Sequence, residues 1–177
     1  MSILRSINPT TGYMQDFQIK ADEPILLGTL NLDRALKNLD AILVHVPAMF
    51  KTRIREYIER AKFSIEMEIC KISYKYISRA HCMVFPGETP QIVDLFSKNG
   101  TRIAGLDGGI PLDPGRKTDL KPDDIVLLAS GRAVFQYIHP QVEHEGDAIN
   151  RVLTEDTAVR EILEADLPPF VDSMHSP

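Results

Sequence analysis

The sequence predicts a mainly β protein, a β-sandwich of two antiparallel sheets that carries an inserted helical hairpin and a C-terminal helix. Short apolar runs of strand length recur along the chain, and turn-forming Gly, Pro, Asn and Asp residues separate them, a pattern typical of sandwiches. Between residues 30 and 62 the apolar residues instead recur every three or four positions, which indicates amphipathic helices. The helical period returns between residues 149 and 163.

The strands are predicted where apolar residues alternate or cluster between turn signals. Two precede the helices, at residues 13–20 and 24–28, and the second of them ends at Gly28. Another begins directly after the helices, because four apolar residues alternate there with polar ones: Phe63, Ile65, Met67 and Ile69. Further strands are predicted at residues 81–85, 91–95, 101–104, 124–128 and 133–138.

The insertion, at about residues 30–62, is predicted to hold two helices. The first has a capping residue at Asn31 or Asp33 and ends at Pro47. The second has apolar residues on one face and, on the other, a basic row: Lys51, Arg53, Arg55, Arg60 and Lys62. Because glutamates interrupt this row, we interpret it as a solvated face in preference to a nucleic-acid surface, and a protein contact through these helices stays open.

The size, composition and net charge of the chain limit the class of protein to which it can belong. A chain of 177 residues with 44% apolar and 25% charged residues suits one core, and we assign residues 1–139 to the sandwich and 140–177 to a C-terminal helical extension and tail. The net charge of −5 draws the chain to neither nucleic acid nor an anionic membrane, so any anion site must be local. Because the sequence has neither a secretory signal nor a membrane-spanning stretch, we expect a cytoplasmic protein. We expect Cys70 and Cys82 to be buried and reduced.

Two short loops hold the polar groups that an anion site on a β-sandwich needs. Ser78-Arg79-Ala80-His81 offers a hydroxyl, a guanidinium and an imidazole within four residues. Asp94-Leu95-Phe96-Ser97 leads into Lys98-Asn99-Gly100-Thr101, which offers an ammonium, an amide and a glycine turn. The two motifs in this order resemble the forkhead-associated (FHA) domain family, over roughly residues 13–139 once the insertion is set aside.

The resemblance implies an FHA-like β-sandwich whose loops bind a phosphothreonine-containing protein. The phosphate would be contacted by Ser78, Arg79 and Lys98, and the peptide backbone by Asn99. Four residues would brace the loops: Gly28, His81, Gly100 and Thr101. The resemblance implies no enzyme, catalytic residue, metal or cofactor.

The sequence departs from the family pattern at two positions. Thr29 follows Gly28 where the family usually has an arginine that contacts phosphate, and Ala104-Gly105 stands where Asn-Gly is common. A lost charge-assisted hydrogen bond to phosphate costs about 1.5–3 kcal/mol, or roughly tenfold to a hundredfold in affinity. Three arginines of the insertion are candidates to replace the missing cation: Arg34, Arg53 and Arg55.

Two other functions compete with phosphopeptide binding. One is a degenerate FHA fold without phosphate binding, which would act as a structural or oligomerisation subunit through its helices. The other is a small metal-dependent hydrolase built on His139 and His144 with neighbouring carboxylates, which is weaker because the spacing matches no ligand motif.

Overall fold

The computed structural model describes residues 2–8, 13–66, 76–105 and 108–138. The predicted C-terminal helix, the continuation of the strand through Met67 and Ile69, and Cys70 all lie outside these residues. Cys82 is buried with a free thiol, as expected, and burial raises the pKa of that thiol well above its usual value.

Six strands form the first sheet, in the spatial order β2-β1-β11-β10-β7-β8. Their bounds are Ser2–Ile7 for β1, Met14–Ile19 for β2, Thr101–Gly105 for β7, Gly108–Pro111 for β8, Ile125–Leu128 for β10 and Ala133–Ile138 for β11. Every neighbouring pair is antiparallel. The sequence did not predict β1 or β8, so the sheet has two more strands than expected.

Five strands form the second sheet, in the order β4-β3-β5-β6-β9. Their bounds are Ile25–Gly28 for β3, Phe63–Glu66 for β4, Cys82–Phe85 for β5, Gln91–Asp94 for β6 and Lys117–Asp119 for β9, the last of which was not predicted. The pair β3 and β4 is parallel, with Gly28 opposite Glu66, whereas the prediction made both sheets antiparallel. The insertion explains this exception, because a long helical crossover returns the chain in the same direction.

Three helices fill the connection between β3 and β4: α1 (Leu32–Lys37), α2 (Leu39–Leu43) and α3 (Ala48–Arg60). Asn31 caps α1 by accepting the Arg34 N–H at 3.0 Å, as predicted. The first predicted helix is divided at Asn38, whose side chain donates to the Arg34 carbonyl at 2.7 Å and competes with the helical backbone there. The expected hairpin of two helices is therefore a group of three.

The sandwich is a three-layer structure because the helices cover the outer face of the second sheet. Leu26, Met83 and Val93, which are neighbours across β3, β5 and β6, pack with the buried side of the helices. On the opposite face of the same strands, Ile25, Val84 and Ile92 belong to the core between the sheets. This arrangement brings the insertion against the strand ends at Gly28 and Asp94.

Candidate functional site

Three loops meet at one end of the sandwich. The first loop (residues 76–81) leads into β5, the second loop (95–100) joins β6 to β7, and the third loop (129–132) joins β10 to β11. The strand registers place them together, because Cys82 lies opposite Asp94 and Leu128 lies opposite both Thr101 and Ala133. Loops at one end of paired sheets are a usual place for ligand sites.

His81 connects the first and second loops from a fully buried position. Its Nδ1 accepts the Ser78 N–H at 3.1 Å, so Nε2 carries the proton and donates to the Gly100 carbonyl at 3.0 Å. Burial lowers the pKa of His81, an effect opposed by the bond to Gly100 and by Asp94. The ring is therefore a neutral link between the loops.

Asp94 holds the second loop in shape, a role that the sequence prediction did not assign. The carboxylate is fully buried and accepts from the Ser97 N–H at 2.9 Å, the Ser97 hydroxyl at 2.6 Å and the Thr101 hydroxyl at 2.6 Å. Gly100 has φ +73°, a conformation that glycine adopts without strain. The spacing of Asp94 and Ser97 is the sequence signal that could have revealed this turn.

Ser78 is joined to Lys98 across the two loops. The Ser78 Oγ accepts the Lys98 N–H at 2.9 Å, and the side chain is half-buried. The Lys98 side chain is exposed, and no carboxylate of the described residues forms an ion pair with it. A hydroxyl and an ammonium thus stand on adjacent parts of the same surface.

Asn99 follows Lys98 in the second loop and is also exposed. Its Nδ2 donates to the Tyr76 carbonyl at 2.7 Å, which fixes the direction of an exposed amide. The sequence prediction placed Asn99 in the site but did not identify Tyr76, because a backbone acceptor 23 residues away leaves no pattern in the sequence.

Arg79 contacts the insertion. Its Nη2 donates to the Ala41 carbonyl at 3.0 Å, in the last turn of α2, where carbonyl groups lack helical partners. Phe96 of the second loop packs against Phe50 of α3 with ring centroids 5.1 Å apart. The insertion therefore touches both loops, and this contact also escaped the sequence prediction.

None of the three candidate replacement cations bonds to the first or second loop. Arg55 pairs with Asp40 and Glu59, Arg53 lies 6.0 Å from the ring centroid of Phe50, and Arg34 is exposed on α1. These three arginines therefore lie on the surface of the insertion and are not bonded to the two loops.

Gly28 and Thr29 form the tight contact between β3 and the first loop. A Cβ on Gly28 would lie 2.2 Å from the Arg79 carbonyl oxygen, so only glycine fits this approach. The N–H groups of Thr29 and Leu30 donate to the carbonyls of Ser78 and Arg79, each at 3.2 Å. Thr29 itself is buried, so this position adds neither charge nor exposed side chain to the loop surface.

The fold and the loops define a class: a mainly β sandwich that presents polar groups at one end, from a first and a second loop that are bonded to each other. Solved FHA domains are similar to this chain. The domain of the CT664 protein from Chlamydia trachomatis has 16% identity and a TM-score of 0.47 over 78% of this chain and 96% of that chain. A domain of an Arabidopsis thaliana protein has 19% identity and a TM-score of 0.44, over 81% and 91% of the two chains.

The MEK1 domain, solved with a phosphothreonine peptide of HOP1, has 14% identity and a TM-score of 0.43 over 79% of this chain and 97% of that chain. These are distant likenesses of fold. No protein-family model matches the sequence, and no curated protein matches it. The support for the roles predicted for Ser78, Arg79, Lys98 and Asn99 therefore comes from the geometry of the loops.

The described residues contain neither a metal-binding cluster nor a membrane-spanning helix. No group of three or more His, Cys, Asp and Glu side chains in residues 2–8, 13–66, 76–105 and 108–138 could hold a metal ion. Within the same ranges, the helices are too short or too polar to cross a bilayer. His139 and His144, considered above for a metal site, lie outside the described residues.

Proposed function

We propose that this chain is a non-catalytic module that binds a phosphothreonine-bearing protein at the loop end of the sandwich and so mediates phosphorylation-dependent interaction. The observation that carries the proposal is the bond from the Lys98 N–H to Ser78 Oγ. Because this bond occupies a lone pair of the hydroxyl, the hydroxyl proton remains for an outside acceptor. No acceptor among the described residues is bonded to that proton.

Phosphate suits the charges around Ser78. A phosphate monoester carries about −1.5 to −2 charge at pH 7 and three acceptor oxygens. Arg79 uses one of its five N–H donors on the Ala41 carbonyl, which steadies the guanidinium and leaves the other donors for a ligand. The ammonium of Lys98 adds a second cation as a point charge.

Asn99 supports a peptide as the carrier of the phosphate. Its Nδ2 is already bonded to the Tyr76 carbonyl, so the second N–H of that amide and its carbonyl have a fixed direction at the surface. An amide offers both a donor and an acceptor, which is what an extended peptide backbone requires. A free anion would leave this group unused.

Titration with a phosphothreonine peptide library and its unphosphorylated twin tests the proposal. We expect binding that requires phosphate, and we expect Lys98→Gln to weaken it about tenfold because one charge-assisted contact is lost. Lys20→Gln is the matched control, because Lys20 follows β2 at the opposite end of the sandwich and its side chain is 70% exposed. Its affinity should equal that of the wild type.

Two outcomes would contradict the proposal. Equal binding of both libraries would favour the alternative of a structural or oligomerisation subunit, with the insertion as its contact surface. If neither library binds, the proposal of a peptide site is wrong.

A further inference from the structure

The first sheet buries apolar side chains on both of its faces. On the face turned away from the second sheet, an outer cluster is formed by residues of four neighbouring strands: Ile7, Ala104, Ile125, Leu127 and Val134. Their exposed fractions lie between 0% and 2%. The outer face of an antiparallel sheet in a sandwich is commonly solvated, so side chains there keep some contact with water. Burial this complete indicates that the outer cluster is covered.

The strand registers show which part of the sheet is covered. Met14, Ile7, Val134 and Leu127 lie opposite one another across β2, β1, β11 and β10, so their side chains share one face. Met14, on the edge strand β2, is 46% exposed, whereas the other three are 1%, 1% and 0% exposed. The cover therefore lies over the middle of the sheet and does not reach β2.

Among the described residues, the outer cluster consists of strand residues of the first sheet alone. The helices α1, α2 and α3 pack on the second sheet. At the end of β11, Ile138 shares the face of Val134 and is 8% exposed. The buried region thus extends to the point at which residues 139–177 follow in the chain.

We propose that residues 149–163 form an amphipathic helix that packs on the outer cluster. Apolar residues recur in this stretch at helical spacing, and they are Ile149, Val152, Leu153, Val159, Ile162 and Leu163. One apolar helical face is the complement of an aliphatic sheet surface, because both lose contact with water when they meet. The packed helix keeps this surface away from other chains.

The dimensions suit this occupant. A helix over residues 149–163 is about 22 Å long, and the axes of four neighbouring strands extend over about 14 Å. Residues 139–148 can span at most about 33–36 Å, so the chain can turn back from Ile138 onto the face. A tethered segment acts at an effective concentration on the order of millimolar. The chain's own segment is therefore favoured over a second copy of the chain.

Thiol labelling of the full chain tests this packing. Val134→Cys places a reporter thiol in the outer cluster, and Met14→Cys places one at the exposed edge of the same row. Peptide-resolved mass spectrometry separates these thiols from the native cysteines. We expect the Val134→Cys thiol to react at least about tenfold more slowly than the Met14→Cys thiol, since a covered thiol reacts only when its cover opens.

Substitutions in the proposed helix give the decisive comparison. Leu153→Asp puts a charge on the predicted apolar face, whereas Thr154→Asp puts the same charge about 100° further round the helix, on the predicted polar face. Leu153→Asp should raise the labelling rate of the Val134→Cys thiol by about tenfold or more, because a buried carboxylate opposes packing. Thr154→Asp should leave the rate unchanged. The milder Leu153→Ala should raise the rate about threefold.

Cys82 reports whether a variant unfolds. It is fully buried in the core between the sheets, so it stays unlabelled when only the outer face opens. If Cys82 reacts together with the Val134→Cys thiol in both Leu153→Asp and Leu153→Ala, the segment stabilises the whole sandwich and is not a separate cover. That result would overturn the inference.

Four other outcomes would also overturn it. A Val134→Cys thiol that reacts as fast as the Met14→Cys thiol would mean an open face. Protection that survives both Leu153 substitutions would assign the cover to another segment. Protection that is lost on dilution would assign it to a second copy, and equal effects of Leu153→Asp and Thr154→Asp would indicate a general effect of charge. Phosphopeptide binding enters none of these measurements, so the proposed function is unaffected by their result.

Discussion

Replacing Gly28 by alanine is expected to damage both stability and ligand binding. Gly28 is buried where β3 passes the first loop, and an added Cβ would lie 2.2 Å from the Arg79 carbonyl oxygen and 2.9 Å from its carbon. The neighbour is backbone, so no side-chain rotation relieves the overlap. The carbonyl must retreat by about 0.8 Å to reach even the 3.0 Å limit seen for real Cβ contacts.

The cost follows from the bonds that this retreat strains. The Thr29 and Leu30 N–H groups donate to the Ser78 and Arg79 carbonyls at 3.2 Å, which is already the long end of the usual range. Loss of both bonds costs about 1–3 kcal/mol, since a net hydrogen bond contributes about 0.5–1.5 kcal/mol. We therefore expect Gly28→Ala to lower the free energy of unfolding by about 1–3 kcal/mol.

Chemical denaturation of two alanine variants measures this effect. Gly87→Ala is the control, because a Cβ on Gly87 meets nothing within 4 Å, and its stability should match that of the wild type within about 0.5 kcal/mol. Phosphopeptide affinity should also fall in Gly28→Ala, since the first loop carries Ser78. If Gly28→Ala is as stable as Gly87→Ala, the close approach of β3 to the first loop is wrong.

Two other predictions concern His81 and Arg79. Burial lowers the pKa of His81 in the folded protein, so the unfolded chain binds a proton on His81 more tightly than the folded chain does. The free energy of unfolding should therefore have its full value above about pH 6.5 and decrease as the pH falls towards the lowered pKa. Denaturation at several pH values checks this, and His81→Gln should flatten the decrease; an unchanged slope in that variant would assign it to other groups. Arg79→Gln should cost at most about 1.5 kcal/mol of stability, the value of one exposed hydrogen bond to Ala41, while weakening phosphopeptide binding about tenfold. If Arg79→Gln loses stability but keeps its affinity for phosphopeptides, Arg79 only holds the insertion against the first loop.

The strands that the sequence predicted most closely are those whose apolar pattern agrees with their burial. In β10 and β11 every residue is buried, and both were predicted within one residue of their ends. β1 was missed because its two fully buried residues, Leu4 and Ile7, belong to different faces and break the alternation. β9 has only three residues, and its exposed lysine and aspartate have no strand pattern.

Local motifs located part of the candidate site, and long-range contacts define the remainder. Ser78, Lys98 and Asn99 could be proposed from the sequence because each motif lies within one short loop. The Arg79 bond to Ala41 spans 38 residues, and the stacking of Arg132 on Tyr76 joins the third loop to the first. Neither contact has a spacing rule, since both depend on how the registers of two sheets align the loops.

The insertion contacts the loops of the candidate site, but Arg34, Arg53 and Arg55 are not bonded to the first or second loop. Arg55 is paired and Arg53 is stacked on the surface of the insertion, whereas the contacts of the insertion with the loops are a carbonyl for Arg79 and the Phe50 ring for Phe96. A helix end that holds a guanidinium by one bond restricts its motion, and this restriction lowers the entropy lost when a ligand is bound. Under the proposed function, the insertion would thus compensate in part for the arginine that is absent at Thr29, because it makes Arg79 a more effective contact for phosphate.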